Sequence, residues 1–340
     1  MTHEFKDIVR SYKKAKEQGI PSVLATVVDL DGSSYRKPGV KMLILENGNM
    51  VGAVSGGCVE KDIVRQSKQV FESGDPIIMT YDGRYRLGCE GVLYILIERF
   101  DPGEVFISAF DKCLKGREYF DMVSYYKKEE GSFDGIGSYL KLGDEVFTLS
   151  GAENQFGKQE EALLVLKESL PPCFKLMIFG AEHDAVQLCK IASLNGWEVT
   201  IVTGPLEAKT IENFPGASAL YSVSPDTLEL KSIDAETAIV LMTHNFANDL
   251  KFLIELKESH PAYIGLLGPA HRREKLFAQL LEYCPEVNES FIGKINGPAG
   301  LNIGAETPQE IAISILSEIL SVVRKKTPIL LKEKDGGIHA

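Results

Sequence analysis

Past Pro171-Pro172 the chain settles into one rhythm, and that rhythm restricts its fold more than any single motif does. Short apolar runs at Phe174–Phe179, Glu198–Val202, Ala238–Met242 and Tyr263–Leu266 alternate with helical stretches running to about Asn195, near 246–258 and near 270–282. Strands spaced by helices in this way predict a parallel sheet with helices on both faces. Thr307-Pro308-Gln309-Glu310 reads as a complete helix start, with Thr as N-cap, Pro at the first position and Glu at the third. The apolar helix beyond it is expected to dock on the sheet.

The first half has a different grammar. An amphipathic helix carrying Phe5, Ile8, Val9 and Tyr12 leads into strands over 22–28 and 40–45, separated by the polar turn 31–39. Asn47-Gly48 predicts a hairpin into Met50–Val54. A helix is expected over 58–73, then strands near 77–81 and 92–98. The stretch 104–150 shows no dominant period, apart from a hairpin at Gly143-Asp144. A helix around 158–169 is expected to lead into Pro171-Pro172, the clearest linker signal in the chain. The predicted fold class is therefore α/β, with an N-terminal α+β domain over 1–170, a C-terminal Rossmann-like parallel-sheet domain over 173–330 and a tail over 331–340.

A formal charge of −11 leaves no basic excess to neutralise phosphates, so nucleic acid is not an expected partner. No apolar run approaches the roughly 18 residues that would span a bilayer, and the N-terminus does not read as a signal peptide; a cytoplasmic protein is expected. The six cysteines are scattered without a CxxC pair, and there is no HExxH. A disulfide framework or a protein-built metal site is not the reading.

Two glycine-dense segments each hold one cysteine: Val51-Gly52-Ala53-Val54-Ser55-Gly56-Gly57-Cys58-Val59-Glu60 and Leu87-Gly88-Cys89-Glu90-Gly91. Gly56 and Gly57 let a ligand approach bare backbone. The helical spacing of Val59, Ile63, Val70 and Phe71 puts Cys58 at or near a helix N-terminus, a setting that favours a thiolate. Such a group can meet a soft metal centre or attack an electrophile. A buried cysteine acting as a small hydrophobe is the other reading.

In the second half, strand, Gly-rich turn, helix and strand open a Rossmann unit, whose dinucleotide fingerprint is GxGxxG/A with an acid about 20 residues later. Gly180 and Ala185 fit the first and third positions. Glu182 stands at the second, facing where two phosphates would lie, and the acid is replaced by Val202-Thr203-Gly204. Both positions count against NAD(P) binding. Gly265-Leu266-Leu267-Gly268, followed by His271-Arg272-Arg273 at a helix start, suits an anion or is simply a solvated charged turn. Thr243-His244-Asn245 lies on the edge where open α/β sheets place ligands, and His183 lies in the first strand–helix turn.

These segments together resemble the XdhC/CoxI family, accessory proteins that carry the molybdenum cofactor to xanthine dehydrogenase and related molybdo-hydroxylases. The resemblance runs over nearly the whole chain: GSSYRKPG (32–39), VGAVSGGCVE (51–60), LGCEG (87–91), FGAEHDA (179–185), MTHN (242–245), YIGLLG (263–268) and GLNIGAETPQEIAISILSEI (300–319). Tyr35 stands where the family usually has Pro, Glu90 where it has Gly, and Glu182 where its turn reads GAGH.

The resemblance implies a carrier and maturation factor without its own turnover, binding the molybdopterin cofactor as cargo. Its expected partners are an apo xanthine dehydrogenase or related molybdo-hydroxylase and a cysteine desulfurase, and it is expected to form a homodimer. On this reading Ser33, Ser34, Arg36 and the backbone at Gly56 and Gly57 hold the polar parts of the cofactor. Cys58, with Cys89, faces its molybdenum or sulfur. Glu60, Gly180, His183, His244 and Gly268 complete the expected cofactor-binding set. The competing expectation is an NAD(P)-dependent oxidoreductase using the C-terminal domain.

Overall fold

The computed structural model describes residues 2–32, 37–83, 91–151, 163–228 and 233–334. Contacts divide the chain into two units, Met1–Pro172 and Cys173–Ala340.

The first unit is built on two antiparallel sheets. Strands β1 (Ser22–Asp31), β2 (Lys41–Leu45), β3 (Met50–Gly52), β4 (Ile77–Asp82) and β5 (Val92–Arg99) form one sheet in the order β3-β2-β1-β5-β4. Strands β6 (Phe120–Tyr126), β7 (Gly137–Leu142), β8 (Glu145–Thr148) and β9 (Leu164–Leu170) form the other, in the order β8-β7-β6-β9. Alternation along β1 sends Val23, Ala25 and Val27 to one face, where helix α2 (Cys58–Ser73) covers them with Val59, Ile63 and Val70. Leu24 points the other way, into a core shared with α1 (Thr2–Glu17), α3 (Gly103–Gly116) and the second sheet. Phe5 of α1 meets Phe100, Phe110 and Phe120 there, a cluster of largely edge-to-face rings.

One expected element is corrected. Of the region 158–169 read as helix, residues 164–169 belong to β9, paired along its length with β6; 158–162 lie outside the described residues. Local helix propensity yields here to tertiary pairing, because β6 needs an edge partner and Glu168 finds a buried cation across the sheets. The stretch 104–150 resolves into α3, β6 and the β7–β8 hairpin.

The second unit is a six-stranded parallel sheet, β12-β11-β10-β13-β14-β15, with β10 (Lys175–Phe179), β11 (Glu198–Thr203), β12 (Ala217–Ser222), β13 (Thr237–Leu241), β14 (Tyr263–Leu266) and β15 (Ile295–Asn296). Leu176 and Ile178 of β10 pack toward α4 (His183–Leu194) and α8 (Pro308–Arg324). Met177 and Phe179 pack toward α5 (Phe246–Leu256), α6 (Ala270–Tyr283) and Phe291 of the one-turn α7 (Glu289–Ile292). Burial on both faces explains why these strands read as unbroken apolar runs. The order reverses between β10 and β13, which is the Rossmann arrangement. No helix among the described residues is long and apolar enough to cross a membrane.

Candidate functional site

Strand pairing in the first sheet brings three glycine-bearing connections to one end. Asp31, where β1 ends, pairs with Val92, where β5 begins, and Val92 pairs with Asp82, where β4 ends. Thr26 pairs with Lys41 at the start of β2, and Met42 with Gly52 at the end of β3. The connections 32–40, 53–57 and 83–91 therefore leave the same end of the sheet. Gly52 turns this corner at φ 84, and a side chain is excluded there because a Cβ would fall 2.6 Å from the Lys41 carbonyl oxygen.

Cys58 is the first residue of α2 and is exposed, so the reading of it as a buried filler is removed. Gly57 is the N-cap and supplies no side-chain bond to the free N–H groups of the first turn. A Cβ on Gly56 or Gly57 would meet nothing within 4 Å, so neither glycine is required by packing. Glu60 reaches back from the third helical position, its Oε1 accepting the Ser55 N–H at 2.8 Å. Its Oε2 is buried and has no hydrogen-bond partner among the described residues. Ser33, Ser34, Arg36 and Cys89 lie outside the described residues.

The connection 32–40 is held at both flanks by the second sheet. Before it, Tyr126 donates to Asp29 Oδ2 at 2.6 Å, and Lys128 Nζ lies 3.3 Å from Asp29 and 2.6 Å from Asp31. The Tyr94 hydroxyl donates to Asp31 at 3.1 Å, and the Lys128 bond holds the Asp31 carboxyl below its ordinary range. After it, Lys41 Nζ donates to the Gly39 carbonyl at 2.8 Å and to Glu168 Oε2 at 2.6 Å. This pair is buried, with side-chain exposures of 7% and 8%. Burial pulls the Lys41 ammonium down, against the Glu168 charge.

Glu98 shares the interior face with Lys41 and accepts the Ser138 N–H at 2.8 Å. Burial pushes its carboxyl up to about 7. Thr26 Oγ1, Glu98 Oε1 and Glu168 Oε1 are buried without hydrogen-bond partners among the described residues.

In the second unit, Gly180 sits at the switch point with φ 141, and a Cβ there would lie 2.3 Å from the Met242 carbonyl oxygen. That close approach draws the turn before α4 against the end of β13. His183 and His244 are both exposed; His183 Nε2 is 3.3 Å from Gln187 Nε2, and His244 Nε2 is 3.7 Å from Asp184 Oδ2. Lys209 donates to the Ala181 carbonyl at 2.5 Å and lies 3.8 Å from Glu182, countering the charge that residue brings to the turn.

Gly268, at the end of β14, is packed against Arg272. The Arg272 guanidinium donates to buried Asp249 at 2.6 Å, and Arg273 donates to the Gly297 carbonyl at 2.7 Å. Both cations of the expected anion-binding turn thus have internal partners. No group of three or more metal-binding side chains occurs among the described residues.

The structure therefore gathers Gly56, Gly57, Cys58 and Glu60 into one turn of the first unit. In the second it brings Gly180, His183 and His244 to the switch point and leaves Gly268 on the next loop. Sequence reading missed Lys41, Glu168, Asp29 and Lys128, although a lysine in the apolar run Val40–Leu45 was a usable signal.

Comparison with known proteins agrees with this architecture. The model of the XdhC and CoxI family matches residues 15–82, and that of the XdhC Rossmann domain matches 176–319; together they take in more than half of the chain. A Bacillus subtilis relative, named as a probable subunit of xanthine dehydrogenase, is 28% identical over 91% of this chain and 95% of its own length. The Escherichia coli molybdenum cofactor insertion chaperone PaoD is 25% identical over 95% of this chain and 90% of its own. A crystal structure described as a xanthine dehydrogenase from Bacillus halodurans superposes with a TM-score of 0.77 at 26% identity, covering 94% of this chain and 96% of that one.

Proposed function

The chain belongs to the XdhC and CoxI family, and on that premise we propose that it binds the molybdenum cofactor as cargo and delivers or matures it for a xanthine dehydrogenase-type molybdo-hydroxylase. The observation that carries this reading is the exposed Cys58 thiol. It heads a helix, stands beside two glycines that packing does not require, and follows one of the three glycine-bearing connections that leave the same end of the sheet. A thiolate is a ligand type that a soft metal or its sulfur tolerates, and free N–H groups at a helix start suit the anionic parts of the cargo. The unpartnered Glu60 oxygen is an acceptor for which a hydrogen-bonding pterin edge would supply a donor.

In this reading Ser33, Ser34, Arg36 and Cys89 join Cys58 from the neighbouring connections. Gly180, His183, His244 and Gly268 are the candidate contacts within the Rossmann unit. The protein works in the cytoplasm as a homodimer, with a cysteine desulfurase as the source of cofactor sulfur. The domains run 1–170 and 173–330.

The test is direct. Purified protein mixed with the isolated molybdenum cofactor should bind it in equimolar amount, read by the fluorescence of the oxidised pterin after gel filtration. Cys58→Ala should weaken that binding about tenfold or more, as expected for loss of a soft first contact to the metal or its sulfur. Wild-type protein that retains no pterin would overturn the proposal, and undiminished binding by the variant would remove Cys58 from it.

A further inference from the structure

Among the described residues, Thr26, Glu98 and Glu168 each carry a buried, unpartnered side-chain atom, and all three lie on strands lining the space between the two sheets of the first unit. A polar interior of this kind is not what stability alone selects. Replacing a buried ion pair with apolar side chains of similar volume is often neutral or stabilising. Yet the Lys41–Glu168 pair sits between two sheets otherwise joined by Leu24, Leu43, Met122 and Leu140. Its ammonium also takes the Gly39 carbonyl, the last residue of the GSSYRKPG segment. At the other flank, Lys128 and Tyr126 of the same second sheet and its extension hold Asp29 and Asp31. Both ends of one connection are thus tied to one sheet that carries none of the glycine-rich segments.

We propose that the second sheet is a brace, and that Lys41, Glu168 and Lys128 are positioning residues fixing the two ends, Asp31 and Gly39, of the connection that leaves β1 at the same sheet end as the connection leading to Cys58. The inference rests on the cofactor reading and deepens it. The brace does not touch the cargo. It holds the backbone at Gly39, whose N–H donates to the Val27 carbonyl at 2.8 Å while the Val27 N–H donates to the Val40 carbonyl at 3.0 Å. A binding site without such support at its flanks is present but too loose to bind well.

The double substitution Lys41→Met/Glu168→Leu removes both buried charges at similar volume. It should keep the melting temperature at or above that of the wild type while binding the isolated molybdenum cofactor about tenfold more weakly. Amide hydrogen exchange should quicken at Gly39 and Val27 and stay unchanged at Ile95 and Ile97, a local loosening that a purely structural role would not give. Lys128→Met, at a partly exposed site of little consequence for stability, should weaken binding in the same direction and leave the melting temperature alone. Should the double variant fail to fold, Lys128→Met decides. Wild-type affinity and exchange in a folded variant would overturn the brace while leaving the cofactor reading standing. Absence of binding by the wild-type protein would instead overturn that reading.

Discussion

Glycines in this chain answer to two different demands, and substitution separates them. Gly180 is fixed by crowding: its φ is 141, and a Cβ would sit 2.3 Å from the Met242 carbonyl oxygen. Gly180→Ala must displace the turn or the end of β13, and a loss of about 2–4 kcal/mol is expected from combined strain and overpacking. Denaturant unfolding followed through Trp197, the chain's one tryptophan, reads this unit directly. Gly56 is under no such pressure, because a Cβ there meets nothing within 4 Å. Gly56→Ala should leave stability within about 0.5 kcal/mol of the wild type, the range of surface changes, while weakening cofactor binding by filling the space beside Cys58. A large stability loss in Gly56→Ala with intact binding would show that the glycine serves the fold instead.

Elements whose local signals agree with their tertiary surroundings are the ones sequence reveals. The helix α8 is such a case: Thr307 Oγ1 accepts the Glu310 N–H at 3.3 Å, and Glu310 Oε2 accepts the N–H groups of Glu306 and Thr307 at 2.9 Å each. That reciprocal box was legible in four letters, as were α2 behind Gly56-Gly57 and the apolar strands buried on both faces. Thr307→Ala should cost about 1 kcal/mol, the usual worth of an N-cap, seen as an earlier denaturation midpoint; no shift would mean that docking against α4 alone sets the helix start. The strand β9 was not legible, because its leucines, Lys167 and Glu168 favour helix locally and its pairing partner β6 lies some forty residues earlier. The glycine-bearing end of the first sheet was half legible. Its glycine and cysteine segments stand out as letters, but their convergence depends on strand order, and the Lys41–Glu168 pair depends on two sheets meeting.

Two units with separate cores should also answer separately to pH. Glu98 is buried in the first unit, where its carboxyl is raised from 4.5 to about 7, and the groups facing it are Ser138, whose N–H it accepts, and Lys41, whose charge opposes the rise. The folded chain therefore holds this proton more tightly than the unfolded chain does. The resulting stability is fully present below the unfolded value of 4.5 and is lost as pH rises through about 7. Between mildly acidic and mildly alkaline solution the first unit should lose on the order of 2–3 kcal/mol from this group. Glu98→Gln can keep the acceptor for Ser138 without a charge, so it should flatten that dependence and stabilise the unit on the alkaline side. Trp197 packs against Phe174 in the second unit, whereas these groups belong to the first. Its fluorescence transition should therefore keep the same midpoint in wild type and variant at every pH, while the circular dichroism transition of the first unit moves. If the Trp197 transition shifts together with it, the two units unfold as one cooperative body; if neither moves, Glu98 does not govern the pH response.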